Sequence, residues 1–503
     1  MSPITTTELL ESVYDEELGF RLTNFSIKPV HVANGLARAL TGRTYDTTAV
    51  TRLVRRYVRN QKLGIDEERH PNAEVLTDYA AAFAGSRGHG PDALKVTRLR
   101  SLAFDVLAAD GAVFETKNFQ SFTLSNERFI TGDLSDYRMG IFLFRLLTTE
   151  PTGRTEAATF LRELLQSESD PWTTLALPML QFSDVREETL SPETLERIDR
   201  SGHLFDAQNG QLVSPTLRNL RDAYDRLARF ERHSGSKLNS LRRLMLFGCF
   251  VIHVYALARW SEREDYAPRP PILLDLFDGT LISIADASRA TLRAAGDAID
   301  GLIRSRLHEH VVADYGTTDK QIEATLFGAG LGDRVEESYR TYCDGGTEPA
   351  DALARAMAED ANDREREAPI GSLIELGRRA GFLAPWSNQG RGGKLRKRYI
   401  ATAEFLETLV AATVEPDDPL EFPEFLERLR DYFGVVVGRP EDDAIIRHTN
   451  LRDDEFWPAI VSINEEDLRR NVEEFRELLV ESGYAKAYAD GRTMVTTRPE
   501  GSL

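Results

Sequence analysis

At 503 residues the chain is too long for one ordinary hydrophobic core and has room for about three domains. Its 41% hydrophobic and 28% charged residues exclude a disordered polymer. Its two cysteines, Cys249 and Cys343, lack any CxxC or Cys/His spacing, which excludes a disulfide framework or a zinc-finger site. The formal net charge of −19 argues against generic adhesion to nucleic acid or acidic membranes.

That net charge is unevenly spread. Residues 18–65 hold nine Lys/Arg against the single Asp46, and residues 376–403 hold seven basic groups and no acid. Residues 404–503 hold 24 acidic and 11 basic groups. Arginine supplies 53 of the 62 basic residues, a bias that a GC-rich genome also produces, so no single arginine is diagnostic. With no basic-then-apolar segment near Met1, no signal peptide is expected, and the cysteine usage suits a reducing, cytoplasmic setting.

In chain order, Asp46 and Thr47 are placed to cap a helix running to Gly64, whose spacing gathers Arg52, Arg55, Arg56 and Arg59 largely on one side. Asp110-Gly111, within 104–122, and Asn209-Gly210 each signal a turn between strands. Helical periodicity follows at 216–232 and 238–260. The apolar run Leu244–Ala258 is fifteen residues, shorter than the roughly 20 of a membrane span, and reads as a buried core helix carrying Cys249 and His253.

Pro268, Pro270 and Pro271 break that helix. Residues 272–284, centred on Asp278-Gly279, then read as a hairpin leading into an amphipathic helix over about 286–310. Residues 350–368 are charged and weakly apolar, and read as an exposed helix or linker and a domain boundary. Short helices are expected at 374–382 and 401–414, joined by the glycine-rich basic stretch 390–398.

The C-terminal end predicts a helix at 421–432, a strand at 435–437 and one or two short helices within 441–460. A longer helix follows, capped by Asn464 and ended by Gly483, and then a hairpin over 484–497 turning at Asp490-Gly491. This order resembles a winged-helix domain over about 80 residues. The expected fold is therefore mainly α and multidomain: an N-terminal helical domain (1–265), a helical middle domain with hairpin and linker (266–368), a basic helix–loop–helix segment that is a candidate first winged-helix-like module (369–415), and an acidic winged-helix-like domain (416–503).

Arg391, Lys394, Arg396, Lys397 and Arg398 place five positive charges within eight residues beside Tyr399, a pattern suited to a phosphate backbone or to a neighbouring acidic segment. The arginines at 52, 55, 56 and 59 offer a second basic surface. The winged-helix resemblance implies DNA contact by the long helix. However, 463–484 holds seven acids against Arg469, Arg470 and Arg476, which favours a protein partner at this end.

His308 and His310 stand two residues apart on a helix and cannot easily share a metal. The glycines at 328, 330 and 332 follow a helix rather than a strand, and Lys394 is followed by Leu395 where a phosphate loop needs Ser or Thr. No metal or cofactor is expected, nor a membrane span. Overall the chain resembles in type the accessory subunits of prokaryotic anti-phage defence or DNA-processing systems. The expected function is a non-catalytic, nucleic-acid-associated scaffold or adaptor of a bacterial assembly. The alternatives are an enzyme with a dispersed, nuclease-like site and a winged-helix transcriptional regulator.

Overall fold

A helix that is apolar on every side must be enclosed on every side, and the chain is arranged around one such helix. The computed structural model describes residues 6–23, 27–45, 126–132, 134–149, 155–168, 173, 187–189, 202–208, 211–263, 269–329, 333–363, 371–384, 397–442, 446 and 464–497. These residues are mainly α-helical, with a few strands of two or three residues.

The N-terminal part comprises α1 (Thr6–Glu17), α2 (Pro29–Thr41), β1 (Arg43–Tyr45), α3 (Met139–Thr148), α4 (Glu156–Gln166), β2 (Glu187–Thr189), β3 (Ala207–Gln208), β4 (Gln211–Leu212) and α5 (Pro215–Glu231). Thr155 and Ser214 cap α4 and α5 by accepting from the amides of Ala158 and Leu217. The enclosed helix is α6 (Lys237–Arg263), in which every residue from Leu244 to Ala258 is buried, as expected of that apolar run. By length and composition it is the one described helix that could cross a membrane, but its apolar window is largely buried by the surrounding helices.

Beyond it lie β5 (Ile272–Leu273), α7 (Ile282–Asp314), α8 (Asp319–Ala329), α9 (Asp333–Asp344), α10 (Pro349–Asp363), α11 (Gly371–Ala380), α12 (Ala403–Thr413), β6 (Leu420–Glu421), α13 (Phe422–Phe433), β7 (Val435–Val436), α14 (Glu465–Glu481), β8 (Ala485–Ala487) and β9 (Thr493–Val495). Phe250 of α6 meets Phe382 (5.2 Å between ring centres), Phe405 of α12 (4.9 Å) and Phe433 of α13 (5.6 Å). One buried cluster consequently runs from Leu9 to Val495, with members from all four expected segments.

Several expectations are corrected. Residues 272–284 are not a hairpin. Ile272–Leu273 pairs in parallel with Val435–Val436, and after the turn at Asp278 and Gly279, both at positive φ, the chain enters α7 directly. The segment 350–358 is no exposed linker, because Leu353, Ala356 and Met357 are fully buried where α10 packs on α9, α7 and α1. Alanines and one Leu/Met pair suffice for burial at a close helix contact, although they score as weakly apolar.

At the C-terminal end the helix expected at 421–432, the long helix and the hairpin occur where expected, and Asn464 caps α14. The strand at 435–436 does not join the hairpin, whose sheet has the order β6-β9-β8. The hairpin closes through three residues rather than two, since Tyr488 N donates to Arg492 O beyond the pair Ala487–Thr493. The strands on either side of Asn209-Gly210, Ala207–Gln208 and Gln211–Leu212, pair antiparallel as expected, while Asn209 and Gly210 themselves lie outside the described residues. The stretch 104–122 and most of 441–460 lie outside the described residues.

Helices α2 and α3 cross so closely that a Cβ on Gly140 would sit 2.3 Å from the backbone N of Leu36. The fully buried Asp136 beside this crossing accepts from Gly140 N (3.0 Å) and lies 3.4 Å from the Arg38 guanidinium. Burial pushes its carboxyl up to about 6, only partly opposed by Arg38. Its contribution to stability is full below the unfolded value near 3.8 and is lost as pH rises through about 6, by at most about 3 kcal/mol. Asp136→Asn, which keeps the acceptor for Gly140, should therefore abolish that loss. Denaturant midpoints of both proteins from pH 4.5 to 7.5 check this, and an unchanged difference across the range would refute it.

Candidate nucleic-acid interface

The basic segment is rooted in a short antiparallel stem. Helix α11 ends at Gly381, where φ is +86° and a Cβ would meet Thr402 Oγ1 at 2.2 Å, so only glycine fits. Leu383 and Tyr399 form a β-bridge. Around it Ala384 N donates to Arg398 O, Ile400 N to Phe382 O and Thr402 N to Gly381 O, each at 3.0 Å. Thr402 then caps α12. Arg391, Lys394 and Arg396 fall between the two arms of the stem, in 385–396, and lie outside the described residues, as do Arg52, Arg55, Arg56 and Arg59.

The two described members of the basic run differ sharply. Lys397 is half-buried. Arg398 is 7% exposed, and its Nε and Nη2 donate to Asp275 and Asp278, the latter at 2.8 Å. Its expected role as a phosphate contact is corrected in this conformation: its guanidinium is turned inward and neutralised, and it anchors the stem. Asp275 itself is buried and also accepts from the amides of Phe277 (3.0 Å) and Gly279 (2.7 Å). These acids stand about 120 residues from Arg398 in sequence, so spacing alone gave no sign of the pairing.

Tyr399 is the second anchor and is fully buried. Its backbone N donates to Ser288 Oγ (2.9 Å), its carbonyl accepts from Asp275 N (2.9 Å), and its hydroxyl is hydrogen-bonded to His253 Nε2 (2.9 Å). Burial, reinforced by the nearby Arg269 cation, pushes the His253 imidazole down to about 3, so it stays neutral near pH 7. Arg269 donates to Phe433 O at the C-terminal end of α13, where a cation suits the helix dipole. Sequence reading recognised His253 as a core residue; Asp275, Ser288 and Arg269 carried no motif.

The acidic helix α14 compensates its own arginines. Arg469 pairs with Glu466 (2.7 Å), Arg470 with Asp467 (3.7 Å) and Arg476 with Glu473, all one turn back. Elsewhere, His310 hydrogen-bonds Glu16 (3.1 Å), and Glu309 pairs with Arg263 and Arg306, so the His308–His310 stretch belongs to an ion-pair network between α1, α6 and α7. Gly330 and Gly332 lie outside the described residues.

A cleft lined by Asn239, Arg243, Glu404, Glu407, Ser482 and Tyr484 opens between α6, α12 and the α14–β8 turn. Within it Arg243 bridges Glu231 (3.0 Å) and Glu407 (2.8 Å), and Tyr484 donates to Glu407 (2.6 Å). Among the described residues, no three His, Cys, Asp or Glu side chains are arranged to hold a metal ion.

Two outcomes follow for the anchors. Arg398→Ala strands the buried Asp275 carboxylate and should cost about 3–5 kcal/mol, whereas Lys397→Ala should cost under about 1 kcal/mol; equal losses in thermal or denaturant unfolding would contradict the distinction. The depressed imidazole of His253 contributes stability that is full above its unfolded value of 6.5 and is lost as pH falls toward about 3. His253→Gln should thus flatten the decline of melting temperature between pH 7 and 4, and an equally steep decline would show that this histidine does not contribute to it.

No protein-family model, no curated protein and no solved structure matches the chain.

Proposed function

We propose that the chain is a non-catalytic, nucleic-acid-associated scaffold or adaptor subunit of a cytoplasmic bacterial multi-protein assembly. The observation that carries this reading is the root of the basic segment. Arg398 and Tyr399 are pinned by carboxylates, a serine and a histidine from α6, α7 and the 275–279 turn. The adjoining residues 385–396 hold three basic groups and no acid. A run of like charge held at a fixed point suits the phosphate backbone, where each neutralised phosphate releases counterions.

The winged-helix-like end supports a second, different contact. Its long helix offers arginines already paired to carboxylates one turn away, together with Glu465, Glu474, Glu477 and Glu481. Such a face is repelled by phosphates and suits a protein partner with a basic surface. Placing the assembly among anti-phage defence or DNA-processing systems rests on resemblance of type.

The test is binding to labelled single- and double-stranded DNA across a salt series, beside a variant in which Arg391, Lys394, Arg396 and Lys397 become Glu while the anchor Arg398 is kept. If those four groups contact phosphates, raising salt from 50 to 200 mM should weaken their share of binding about 50- to 150-fold, and the variant should lose the steep dependence. Failure of the wild type to bind at low salt, or equal binding by the variant, would overturn the proposal.

A further inference from the structure

The eight residues 272–279 have little regular structure of their own: Ile272 and Leu273 form a two-residue strand and the rest is turn. Their position is set by hydrogen bonds that go, almost amide by amide, to different elements. Ile272 N donates to Gly434 O (2.8 Å), just before β7, and Leu274 N to Val436 O (3.1 Å), within it. Asp275 N donates to Tyr399 O (2.9 Å), in the stem of the basic segment. Leu276 N donates to Asn471 Oδ1 (3.2 Å), on α14.

Side chains repeat the pattern. The Asp275 carboxylate holds Arg398, while Asn471, fully buried, sends its amide N to Leu274 O (2.8 Å) and Val437 O (2.9 Å). Arg470 of α14 lies over the Phe277 ring at 5.5 Å, and Ser283 just beyond donates to Asp467 (2.5 Å). One short stretch thus touches both the root of the basic segment and the acidic helix, and on each side at least one bond, Arg398 to Asp275 and Asn471 to Leu274 O, is buried.

We propose that residues 272–279 form a strut coupling the root of the basic segment, Arg398–Ile400, to helix α14, so that a partner engaging one surface alters the other. The physical basis is that, apart from the Asp275 carboxylate accepting from the Phe277 and Gly279 amides, the strut is positioned by bonds to β7, Tyr399 and Asn471, so its Asp275–Leu276 part is held jointly by the stem and α14. Freed from Asn471, Leu276 N and Leu274 O lose their buried partners, the neighbouring Asp275 shifts, and the bonds to Tyr399 and Arg398 loosen together. Asn471 is then a positioning residue that acts on the basic segment through the strut. The regulatory meaning rests on the nucleic-acid reading above, but the coupling itself does not.

Amide hydrogen exchange on the full chain without DNA tests the coupling. Asn471→Ala should speed exchange in 397–402 by roughly tenfold as well as in α14, and Asp275→Asn should do the same in the first turns of α14. Leu161→Ala, in the fully buried core of α4, controls for general destabilisation and should leave both regions slow. Changes confined to each substitution's own neighbourhood, or the same pattern from Leu161→Ala, would overturn the proposal. If Asn471→Ala does not fold, Asp275→Asn read at α14 decides alone. Adding DNA to the wild type separates the two readings: slowed exchange in α14 supports both, absence of binding removes only the nucleic-acid reading, and binding without any change in α14 removes only the coupling.

Discussion

The enclosure of Leu244–Ala258 is the constraint on which the rest of the structure depends. Burying a large apolar side chain is worth about 1.5–3 kcal/mol, and this helix buries every residue through four turns, with Phe247, Phe250 and Tyr255 among the largest. No single neighbour covers such a cylinder. Helices α2, α5, α7, α11 and α12 all pack on it, so elements from both ends of the chain are needed to complete one core.

Apolar burial is non-directional, and polar side chains supply the register that it lacks. Asn34 exchanges hydrogen bonds with the backbone of Thr131 in both directions, fixing α2 against the segment before α3. Asn471 does the same for α14, the strut and the end of β7. Tyr224 donates to Leu244 O and Tyr399 bonds His253, each tying a neighbouring element to α6. Such groups must be satisfied when buried, and a shifted packing would strand them, which is how a few hydrogen bonds select one arrangement among many apolar ones.

Several arginines follow the same logic. Arg259 and Arg263 of α6 and Arg306 of α7 converge on Glu16 and Glu17 of α1, where Glu17 is only 3% exposed. Arg226 donates to Ala412 O and lies over the Tyr432 ring at 5.0 Å, and Arg229 bonds Glu415 through both carboxylate oxygens. These arginines join helices to one another. A count of basic residues therefore overstates the charge offered to a partner, and Arg398 shows this within the basic segment itself.

Local signals in the sequence determined helices α5, α6, α7, α11, α12, α13 and α14, because periodicity, caps such as Asn464 and stops such as Gly483 act within a few residues, whereas α1 to α4, α8 and α9 are not singled out. They also identified Leu244–Ala258 as core and His253 as a packed histidine, since both follow from the apolarity of the surrounding run. Tertiary structure alone decided the pairing of Ile272–Leu273 with Val435–Val436, the burial of Arg398 between Asp275 and Asp278, and the docking of Asn471. Each joins residues separated by 34 to 197 positions, and such contacts are chosen by the shape and unsatisfied polar groups of the assembled core, which no local window contains.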